Sequence, residues 1–578
     1  MAAPDAAAFL RVLDDTPRDL PTRSLHPTWR TPVNTLQAVA RILKLEGVEW
    51  VSCFPSNNLI EAVAAEGIRP LLFRQERGAL MAADGFSRLS DRRKFGVVIT
   101  QGGPGAENSM GGIAQAFADN VPMLVFQGGP STREHAVRPN FSPARTYQSV
   151  TRHAEVIWKP DMVADVLRRA FHILRNGRPG PVVVEIPSDV DGQEVPEAAL
   201  AYQSPVRSPQ APSSGAVKDA VQALLGARKP VIWSGMGTLF SQATEELREL
   251  AELTQIPVYC TMPGKSGFDE RHPLALGSGS GTTTLPAFRW LQESDVLFAV
   301  GSSLTRTPYG QPIPDGKTII HNTESIEDIN KDYSVAVGLP GDARLALRMI
   351  LDEVKGQIGE QPRQNDVAAQ IADLRQQWLA EWTPFLTADD TPIQTYRVVG
   401  ELERTLDKER TIITHDAGAP RDMLMPFYRA SVPHSYIGWG KTTHLGFGIP
   451  LMIGAKLARP DAFCLNFMGD GAFGMSGLDI ETSVRIGAPI TTIVLNNGDM
   501  ATYPGGYPEA RARYNLTHMT GDYAQIAEGL GAVGIVVTQP GEIAPALQRA
   551  QRLNADGRTV LLDIHCNVEG RRSRFTPR

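Results

Sequence analysis

Two short apolar runs near the carboxyl end of the chain constrain its fold more than any other feature of the sequence. The run Phe463–Met468 is followed directly by Gly-Asp-Gly-Ala at 469–472, and the run Ile490–Leu495 is followed by Asn-Asn-Gly-Asp at 496–499. Continuous apolar runs of this length are typical of strands that are buried on both faces of a parallel sheet. Ligands of such sheets bind beyond the carboxyl ends of the strands. The pattern therefore predicts an α/β chain with a polar site where the two runs end.

The residues after the two runs are those that a hard cation and a phosphate group require. Asp470 supplies a carboxylate, Asn497 an amide oxygen and Asp499 its backbone carbonyl; Mg²⁺ completes its octahedron with phosphate and water oxygens. The glycines let the backbone approach a phosphate closely. The next helix is predicted to begin near Gly477. The alternative is that both segments are merely tight turns.

The composition argues against several classes of function. The chain of 578 residues has 57 Lys and Arg against 63 Asp and Glu, a formal charge of −6, so no binding to nucleic acid or to a membrane surface is expected from bulk charge. No apolar run approaches the roughly 18–20 residues of a membrane span, and the N-terminus lacks a basic segment ahead of an apolar core. The four cysteines lie far apart without CxxC spacing, which favours core residues in a reducing compartment. The expected location is the cytoplasm.

A second motif lies near the N-terminus, where a strand leads into a helix with a carboxylate in its first turn. The apolar segment 70–73 precedes 74–88, which is rich in small residues and carries Glu76 near its start, where the helix dipole favours an acid. Another strand, at 95–100, leads into a Gly-rich turn that begins with Gln101. Such a turn opening a helix is by itself a weak phosphate signal. On these residues alone, Glu76 is either a structural acid or part of a site.

In this order and spacing, the motifs resemble those of thiamine diphosphate (ThDP) enzymes of the acetohydroxyacid synthase and pyruvate oxidase branch, over about residues 33–570. The resemblance implies an α/β fold of three doubly wound parallel-sheet domains. In chain order they are a pyrimidine-binding domain, a central domain and a diphosphate-binding domain. The implied segments are an N-terminal arm at 1–32, the pyrimidine-binding domain at 33–193, a linker at 194–215, the central domain at 216–352, a helical connector at 353–392 and the diphosphate-binding domain with a C-terminal tail at 393–578.

The resemblance also implies roles for individual residues. Glu76 would bond N1′ of the aminopyrimidine, Gln101 would contact the substrate, and Leu445 would wedge the two rings of the cofactor into a V. Asp470, Asn497 and the carbonyl of Asp499 would hold Mg²⁺ on the diphosphate. The further cofactor contacts that it implies lie at Ala417, Gly418, Gly469, Gly471, Ala472 and Met500.

The same likeness bears on assembly. In such enzymes the pyrimidine-binding domain and the diphosphate-binding domain face each other between chains. The resemblance therefore implies at least a homodimer, with a homotetramer as the expected assembly.

The chain departs from the family pattern in three places. Gln75 stands where the family usually has His, and Ala419 and Pro420 replace the Gln and His that are common in its diphosphate loop. After a strand of the central domain, the sequence 321–324 reads His-Asn-Thr-Glu, where flavin- or ADP-binding relatives tend to have an acidic run. Whether FAD, ADP or nothing binds the central domain is left open by the sequence.

Several further residues have two interpretations. Lys441 and His444 are unusual beside the wedge position, and each either contacts the substrate, with His444 in a catalytic role, or is structural. Tyr503, Tyr507 and Arg511 lie in a turn-rich segment and are lid candidates or exposed loop residues. The Arg-rich segment 569–575 either frays or folds over the site.

The resemblance implies a carboligase similar to acetolactate synthase, which would join 2-keto acids with ThDP and Mg²⁺. The alternative on the same scaffold is a 2-hydroxyacyl-CoA lyase or a 2-keto acid decarboxylase, with an acyl-CoA or a 2-keto acid as substrate. A third alternative, a non-catalytic binding relative, is disfavoured because Glu76, Asp470 and Asn497 are all present.

Overall fold

The computed structural model describes residues 32–500 and 506–576. Its strands are β1 (Trp50–Cys53), β2 (Arg69–Leu72), β3 (Gly96–Thr100), β4 (Met123–Gly129), β5 (His153–Val156), β6 (Pro181–Pro187), β7 (Val231–Ser234), β8 (Val258–Thr261), β9 (Ala275–Gly279), β10 (Val296–Val300), β11 (Thr318–Thr323), β12 (Val337–Pro340), β13 (Thr411–His415), β14 (Tyr436–Ile437), β15 (Phe463–Gly469), β16 (Thr491–Asn496), β17 (Val533–Val537) and β18 (Val560–His565).

Three sheets of six strands form the framework of the described chain. Their strand orders are β2-β1-β3-β4-β6-β5, β12-β11-β10-β7-β8-β9 and β14-β13-β15-β16-β18-β17. All neighbouring strands within these sheets run parallel. The strand order reverses direction once in the second sheet and twice in the first and third sheets, so connecting helices cover both faces, as in doubly wound folds. The predicted α/β class with three such sheets is confirmed, while the predicted domain boundaries stay predictions.

The helices lie between these strands along the chain. They are α1 (Thr35–Leu45), α2 (Leu59–Ala65), α3 (Glu76–Arg88), α4 (Pro104–Asp119), α5 (Pro143–Thr146), α6 (Val163–Arg175), α7 (Ser214–Gly226), α8 (Met236–Phe240), α9 (Thr244–Thr254), α10 (Leu285–Glu293), α11 (Ala343–Ile358), α12 (Val367–Leu386), α13 (Thr395–Thr405), α14 (Ala419–Phe427), α15 (Gly448–Ala458), α16 (Asp470–Ser476), α17 (Asp479–Ile486), α18 (Pro508–Tyr514), α19 (Tyr523–Gly529) and α20 (Ile543–Ala555). Short 3-10 helices lie at Gln148–Val150, Pro160–Met162, Glu197–Leu200, Ile326–Asp328 and Pro540–Glu542.

The helix predicted to begin near Gly477 is present as α17, with Leu478 as its N-cap residue, but the prediction missed the helix before it. A helix, α16, already begins at Asp470, and the following helix, α17, begins at Asp479. The glycines of this segment favour a turn, since each costs about 1 kcal/mol in a helix. An acid in the first turn and the packing of Ala472 and Phe473 into the core outweigh that cost. The signature Gly-Asp-Gly-Ala is thus the beginning of a helix.

The cysteines lie where the sequence predicts them, in the core. All four cysteines are buried and free. In the part of the chain that the structure describes, no helix combines the length and the apolarity that crossing a bilayer requires.

Small residues bring the first and third sheets together through helices α3 and α15. A Cβ on Gly454 would lie 1.9 Å from the carbonyl oxygen of Ala82, and a Cβ on Gly85 would lie 2.1 Å from that of Leu451. A side chain at either glycine would therefore push the two helices apart. This contact places the start of α3, with Glu76, beside the third sheet.

We expect Gly454→Ala to destabilise the protein by about 1–3 kcal/mol, because the new methyl group overpacks the contact with α3. The matched control is Gly226→Ala at the end of α7, where a Cβ would meet nothing within 4 Å. Better helix propensity should make that variant at least as stable as the unmodified chain. Urea unfolding of both variants checks the prediction, and equal stability of the two would contradict it.

Candidate active site

Glu76 is buried at the start of α3, next to the turn that follows β3. It follows the extended Gln75, and 3% of its surface is exposed. Its Oε2 accepts a hydrogen bond from Asn108 Nδ2 at 3.2 Å. A Cβ on Gly105 would lie 3.2 Å from Glu76 Oε1 and 2.9 Å from Gln101 Cβ. The structure therefore brings the predicted Glu76 and Gln101 together, around a position where only glycine leaves room.

His444 and Leu445 lie on the loop before α15, which contacts α4. The backbone N–H of His444 donates to Gln115 Oε1 at 3.3 Å, and its Nε2 lies 3.2 Å from Arg77 Nη1. Because a guanidinium only donates, His444 accepts at Nε2 and carries its proton on Nδ1. Burial, followed by the charge of Arg77, lowers the pKa of His444, so the ring is neutral at pH 7. Leu445 packs, partly buried, against the apolar cluster shared by the first and third domains.

The start of this loop is held by a buried ion pair of the first domain. Asp119 accepts backbone hydrogen bonds from Gly440 at 3.0 Å and from Lys441 at 3.1 Å. Arg88 donates to Asp119 at 2.9 Å and to the carbonyl oxygen of Gly438 at 3.1 Å. Arg88 also pairs with the buried Asp84 at 2.5 Å, so one guanidinium serves two buried carboxylates while it fixes the loop. Neither Arg88 nor Asp119 was predicted as a site residue.

Asp416, directly after β13, holds the end of the same loop. The fully buried carboxylate accepts from the backbone N–H groups of Ala417 at 2.8 Å, Gly446 at 3.0 Å and Gly448 at 2.9 Å. Burial raises the pKa of Asp416, and these donors oppose the shift. These bonds fix the turn that follows Leu445. Asp416 was not predicted as a site residue; the signal that points to it is an acid immediately after an apolar strand.

Asp470 lies where β15 ends and α16 begins. Its Oδ1 accepts from the N–H of Gly471 at 2.7 Å, and its Oδ2 accepts from the N–H of Gly498 at 2.9 Å. Burial raises the pKa of Asp470, while the backbone donors lower it. Strands β15 and β16 are neighbours, so the segments of Asp470 and Asn497 share one edge of the sheet, as predicted from the two apolar runs.

The other two predicted metal ligands, Asn497 and the backbone carbonyl of Asp499, follow β16. Asn497 Oδ1 accepts from the N–H of Asp499 at 3.1 Å, and Asp499 Oδ2 accepts from Arg511 Nη1 at 2.8 Å. A Cβ on Gly471 would lie 3.1 Å from Met500 Cγ, which places Met500 against the start of α16. Within residues 32–500 and 506–576, no group of three or more His, Cys, Asp and Glu is suited to a metal; the predicted set, with one carboxylate, is of another type.

The turn at Ala417 and Gly418 faces the start of α16. Gly418 has φ of 82°, which glycine adopts without strain, and it precedes the first helical residue, Ala419. Pro420 Cγ lies 3.9 Å from the position of a Cβ on Gly469. The first turn of α14 therefore presents backbone N–H groups beside Gly469, and such groups suit an anion.

Helix α16 joins the two halves of the site within one chain. At the end away from Asp470, the carbonyl oxygen of Met475 accepts from Gln75 Nε2 at 3.1 Å, and a Cβ on Gly446 would lie 3.2 Å from the carbonyl oxygen of Ala472. Seven helical residues at 1.5 Å each span about 10 Å. The resemblance implied that the two domains face each other between chains, whereas here they meet in a single chain. The homodimer and the homotetramer stay predictions.

The lid candidates are only partly covered by the structure. Tyr503 lies outside the described residues. Tyr507 is 58% exposed just before α18, and Arg511 lies on that helix and is paired with Asp499. A lid role stays a prediction for all three residues.

The C-terminal tail is packed as far as residue 576. Ser573 is 1% exposed; its Oγ accepts from Trp378 Nε1 at 3.0 Å, and its carbonyl oxygen accepts from the N–H of Thr283 at 2.9 Å. The ring of Phe575 stacks on Phe288 with centroids 5.2 Å apart. Of the two interpretations of the tail, fraying is therefore wrong for this part, which ties the central domain to α12.

A cavity of about 440 Å³ opens at the carboxyl ends of β7 and β10 in the central domain. Its lining includes Gly235, Gly301, Lys441 and Glu324. Glu324 stands where relatives tend to have an acidic run, and it is paired with Arg92 at 2.5 Å. Its charge is therefore balanced within the protein. FAD or ADP in this cavity stays a prediction.

Comparison with known families divides the chain in the same way as the sheets. The description thiamine pyrophosphate (TPP) enzyme, N-terminal TPP binding domain, matches residues 33–152. The central domain of these enzymes matches 217–350, and their C-terminal TPP binding domain matches 416–564. Thiamine pyrophosphate is another name for ThDP. The chain belongs to the thiamine diphosphate-dependent enzymes.

Curated relatives place it near acetolactate synthases. The chain is 30% identical over 564 residues to a probable acetolactate synthase large subunit of Methanococcus aeolicus, covering 92% of each protein. It is 31% identical over 533 residues to the acetolactate synthase large subunit of Corynebacterium glutamicum, covering 86% of this chain and 80% of that protein. It is 28% identical over 549 residues to acetolactate synthase isozyme 3 large subunit of Escherichia coli. The chain is thus an acetolactate synthase-like member of the family.

The residues of the site fit ThDP. Glycine at 105 leaves space beside the carboxylate of Glu76, and the half-buried glycines at 418 and 469 directly precede α14 and α16. Asp470 and Asn497 supply oxygen at the neighbouring strand ends. The chain thus has a buried acid suited to the pyrimidine and oxygen ligands suited to a metal-bound diphosphate.

We expect Asp416→Ala to weaken ThDP binding by about tenfold or more, because three buried N–H groups lose their acceptor and the turn after Leu445 is released. Titration of the purified protein with ThDP and Mg²⁺, followed by calorimetry, measures the change. The control is Asp373→Ala, which removes an exposed acid on α12. Unchanged affinity in the Asp416 variant would show that the carboxylate does not position the loop.

Proposed function

We propose that this chain is a ThDP- and Mg²⁺-dependent carboligase that joins 2-keto acids, similar to acetolactate synthase. One observation carries the proposal: buried Glu76 lies beside Gln101 at one end of α16, and Asp470 begins the same helix at the other end. The likeness to acetolactate synthase large subunits over most of the chain supports this reaction above others of the family.

Each residue has a definite task in this proposal. ThDP, when bound, supplies the nucleophilic carbon and the electron sink that decarboxylation of a 2-keto acid needs. Glu76 would share a proton with the N1′ nitrogen of bound ThDP, and Asn108 orients the carboxylate by donating to Oε2. The low dielectric around Glu76 strengthens that hydrogen bond. Gln101 would contact the substrate, and Leu445 would support the two rings of the cofactor.

His444 serves as a neutral group in this arrangement. Arg77 donates to its Nε2, which leaves the N–H at Nδ1 directed towards the backbone of α4. Its role is therefore to fix the loop against the first domain, and we place it beside the substrate without a proton-transfer step.

The metal has a binding role. Asp470, Asn497 and the carbonyl of Asp499 would hold Mg²⁺, which would anchor the diphosphate beside the first turn of α14. The N–H groups of Gly471 and Gly498 already orient the Asp470 carboxylate. Binding of Mg²⁺ would therefore cost little side-chain entropy at Asp470.

We expect the purified protein with ThDP, Mg²⁺ and pyruvate to release CO2 and form acetolactate, and removal of Mg²⁺ with a chelator to abolish both. Product analysis by chromatography checks this. CO2 release without acetolactate would favour a 2-keto acid decarboxylase. Turnover of a 2-hydroxyacyl-CoA in place of pyruvate would favour the lyase, and either result would overturn the carboligase.

We expect Glu76→Gln to lower kcat by about 10²-fold or more, the size of effect typical of a lost proton-transfer group. The variant should still bind ThDP, because the diphosphate contacts are untouched. Steady-state kinetics and calorimetric titration measure the two properties separately. Glu61→Gln, an exposed acid on α2, is the control and should change neither. Wild-type turnover in the Glu76 variant would reject the assigned role.

A further inference from the structure

The residues on either side of Glu76 are bonded to the third domain, whereas Glu76 itself is bonded to the first. Gln75 Nε2 and Arg77 Nη2 both donate to the carbonyl oxygen of Met475, near the end of α16, at 3.1 Å and 2.7 Å. The carboxylate of Glu76 accepts instead from Asn108, on α4 of the first domain. Glu76 therefore points into the first domain from a segment that is attached to the third.

Asp479 is the acid that extends this attachment to the backbone. It is the first residue of α17 and is 1% exposed. Its Oδ1 accepts from the N–H of Arg74 at 3.1 Å, in the turn just before α3, and from Thr482 Oγ1 at 2.9 Å. The N-cap residue of α3, Gln75, makes no side-chain hydrogen bond to the helix. Asp479 thus holds the main chain two residues before Glu76, where the helix has no side-chain cap of its own.

The second oxygen of the same carboxylate lies against the first turn of α3. A Cβ on Gly78 would lie 2.3 Å from Asp479 Oδ2 and 3.2 Å from its Cγ, so only glycine fits there. A carboxylate at the N-terminal end of a helix is favoured by the helix dipole. Asp479 therefore bonds the backbone before Glu76 and contacts the backbone after it, which fixes the place of the residue between them.

We propose that Asp479 is a positioning residue for Glu76, which holds that acid from another domain so that its carboxylate meets the pyrimidine of bound ThDP. Asp479 acts through Glu76, so this role rests on the function proposed for Glu76 above. A displacement of about 1 Å at a catalytic group costs up to about 10²-fold in rate. Loss of the bond to Arg74 or of the close contact at Gly78 would permit a shift of that size.

Exchange of the C2 proton of bound ThDP with deuterium tests the proposal without any substrate. The proton that Glu76 shares with N1′ makes the cofactor's 4′ nitrogen a base for the C2 proton, so the exchange rate reports the position of Glu76. We expect Asp479→Ala, saturated with ThDP and Mg²⁺, to exchange about 10- to 100-fold more slowly than the unmodified chain. Asp479→Asn keeps an oxygen acceptor for Arg74 and should restore most of the rate. Proton NMR of the cofactor after an acid quench measures the exchange.

Two further variants separate positioning from a general loss of structure. Gly78→Ala places a methyl group against Asp479 Oδ2 and should also slow the exchange, although alanine favours the helix. Asp522→Ala is the matched control, because Asp522 is the N-cap of α19 in the same domain and accepts from the N–H of Gln525 at 2.8 Å. It loses a comparable bond at a helix end and should exchange at the unmodified rate. Calorimetry should show ThDP bound by every variant, since the diphosphate contacts are untouched.

Unchanged exchange in folded, ThDP-saturated Asp479→Ala would overturn the proposal, and so would an Asp479→Asn variant as slow as Asp479→Ala. If Asp479→Ala does not fold, Gly78→Ala decides, and exchange at the unmodified rate in that variant would reject the role.

Failure of the proposed function gives a different result. Rapid C2 exchange in an unmodified chain that forms no acetolactate would overturn the carboligase and leave the role of Asp479 in place. Exchange no faster than in free ThDP would overturn the role of Glu76 and that of Asp479 with it.

Discussion

Two buried carboxylates from different domains hold the loop on which the site depends. Asp119, at the end of α4, accepts from the loop's first N–H groups, and Asp416, after β13, accepts from Gly446 and Gly448 near its end. A buried carboxylate is stable only where donors surround it. The loop supplies those donors, so the acids and the conformation of the loop require each other. Leu445 owes its place to this mutual requirement.

Close contact between helices brings the remaining parts of the site into reach of that loop. Gly454 and Gly85 allow α3 and α15 to approach to backbone distance, and the start of α3 then lies over the end of α16. Glu76 reaches the third sheet as a result, although it follows the second strand of the first sheet. The segments of Asp470 and Asn497, at the opposite end of α16, are held together by the pairing of β15 with β16 and by the hydrogen bond from the N–H of Gly498 to Asp470.

The same loop also faces the central domain. Lys441 follows Gly440 in the segment that Asp119 holds, and its side chain points to the hydroxyls of Ser303 and Thr305. The third domain thus contributes a cation to the central cavity and an apolar residue to the cofactor site from positions four residues apart. The hydrogen bonds from Asp119 that fix the loop therefore also fix the position of the Lys441 ammonium in the cavity.

The sequence by itself determined the α/β class and the place of Asp470 and Asn497, because apolar runs that end in polar residues are local patterns. The three sheets followed from the resemblance of its motifs to ThDP enzymes. Five of the six edge strands, β5, β9, β12, β14 and β17, were not predicted, nor was the central β18. The tertiary structure alone decided that α16 begins at Asp470, and it alone revealed the roles of Arg88, Asp119 and Asp416. These depend on contacts between residues up to about 350 positions apart, and burial and close packing determine such contacts, whereas local sequence spacing carries no record of them.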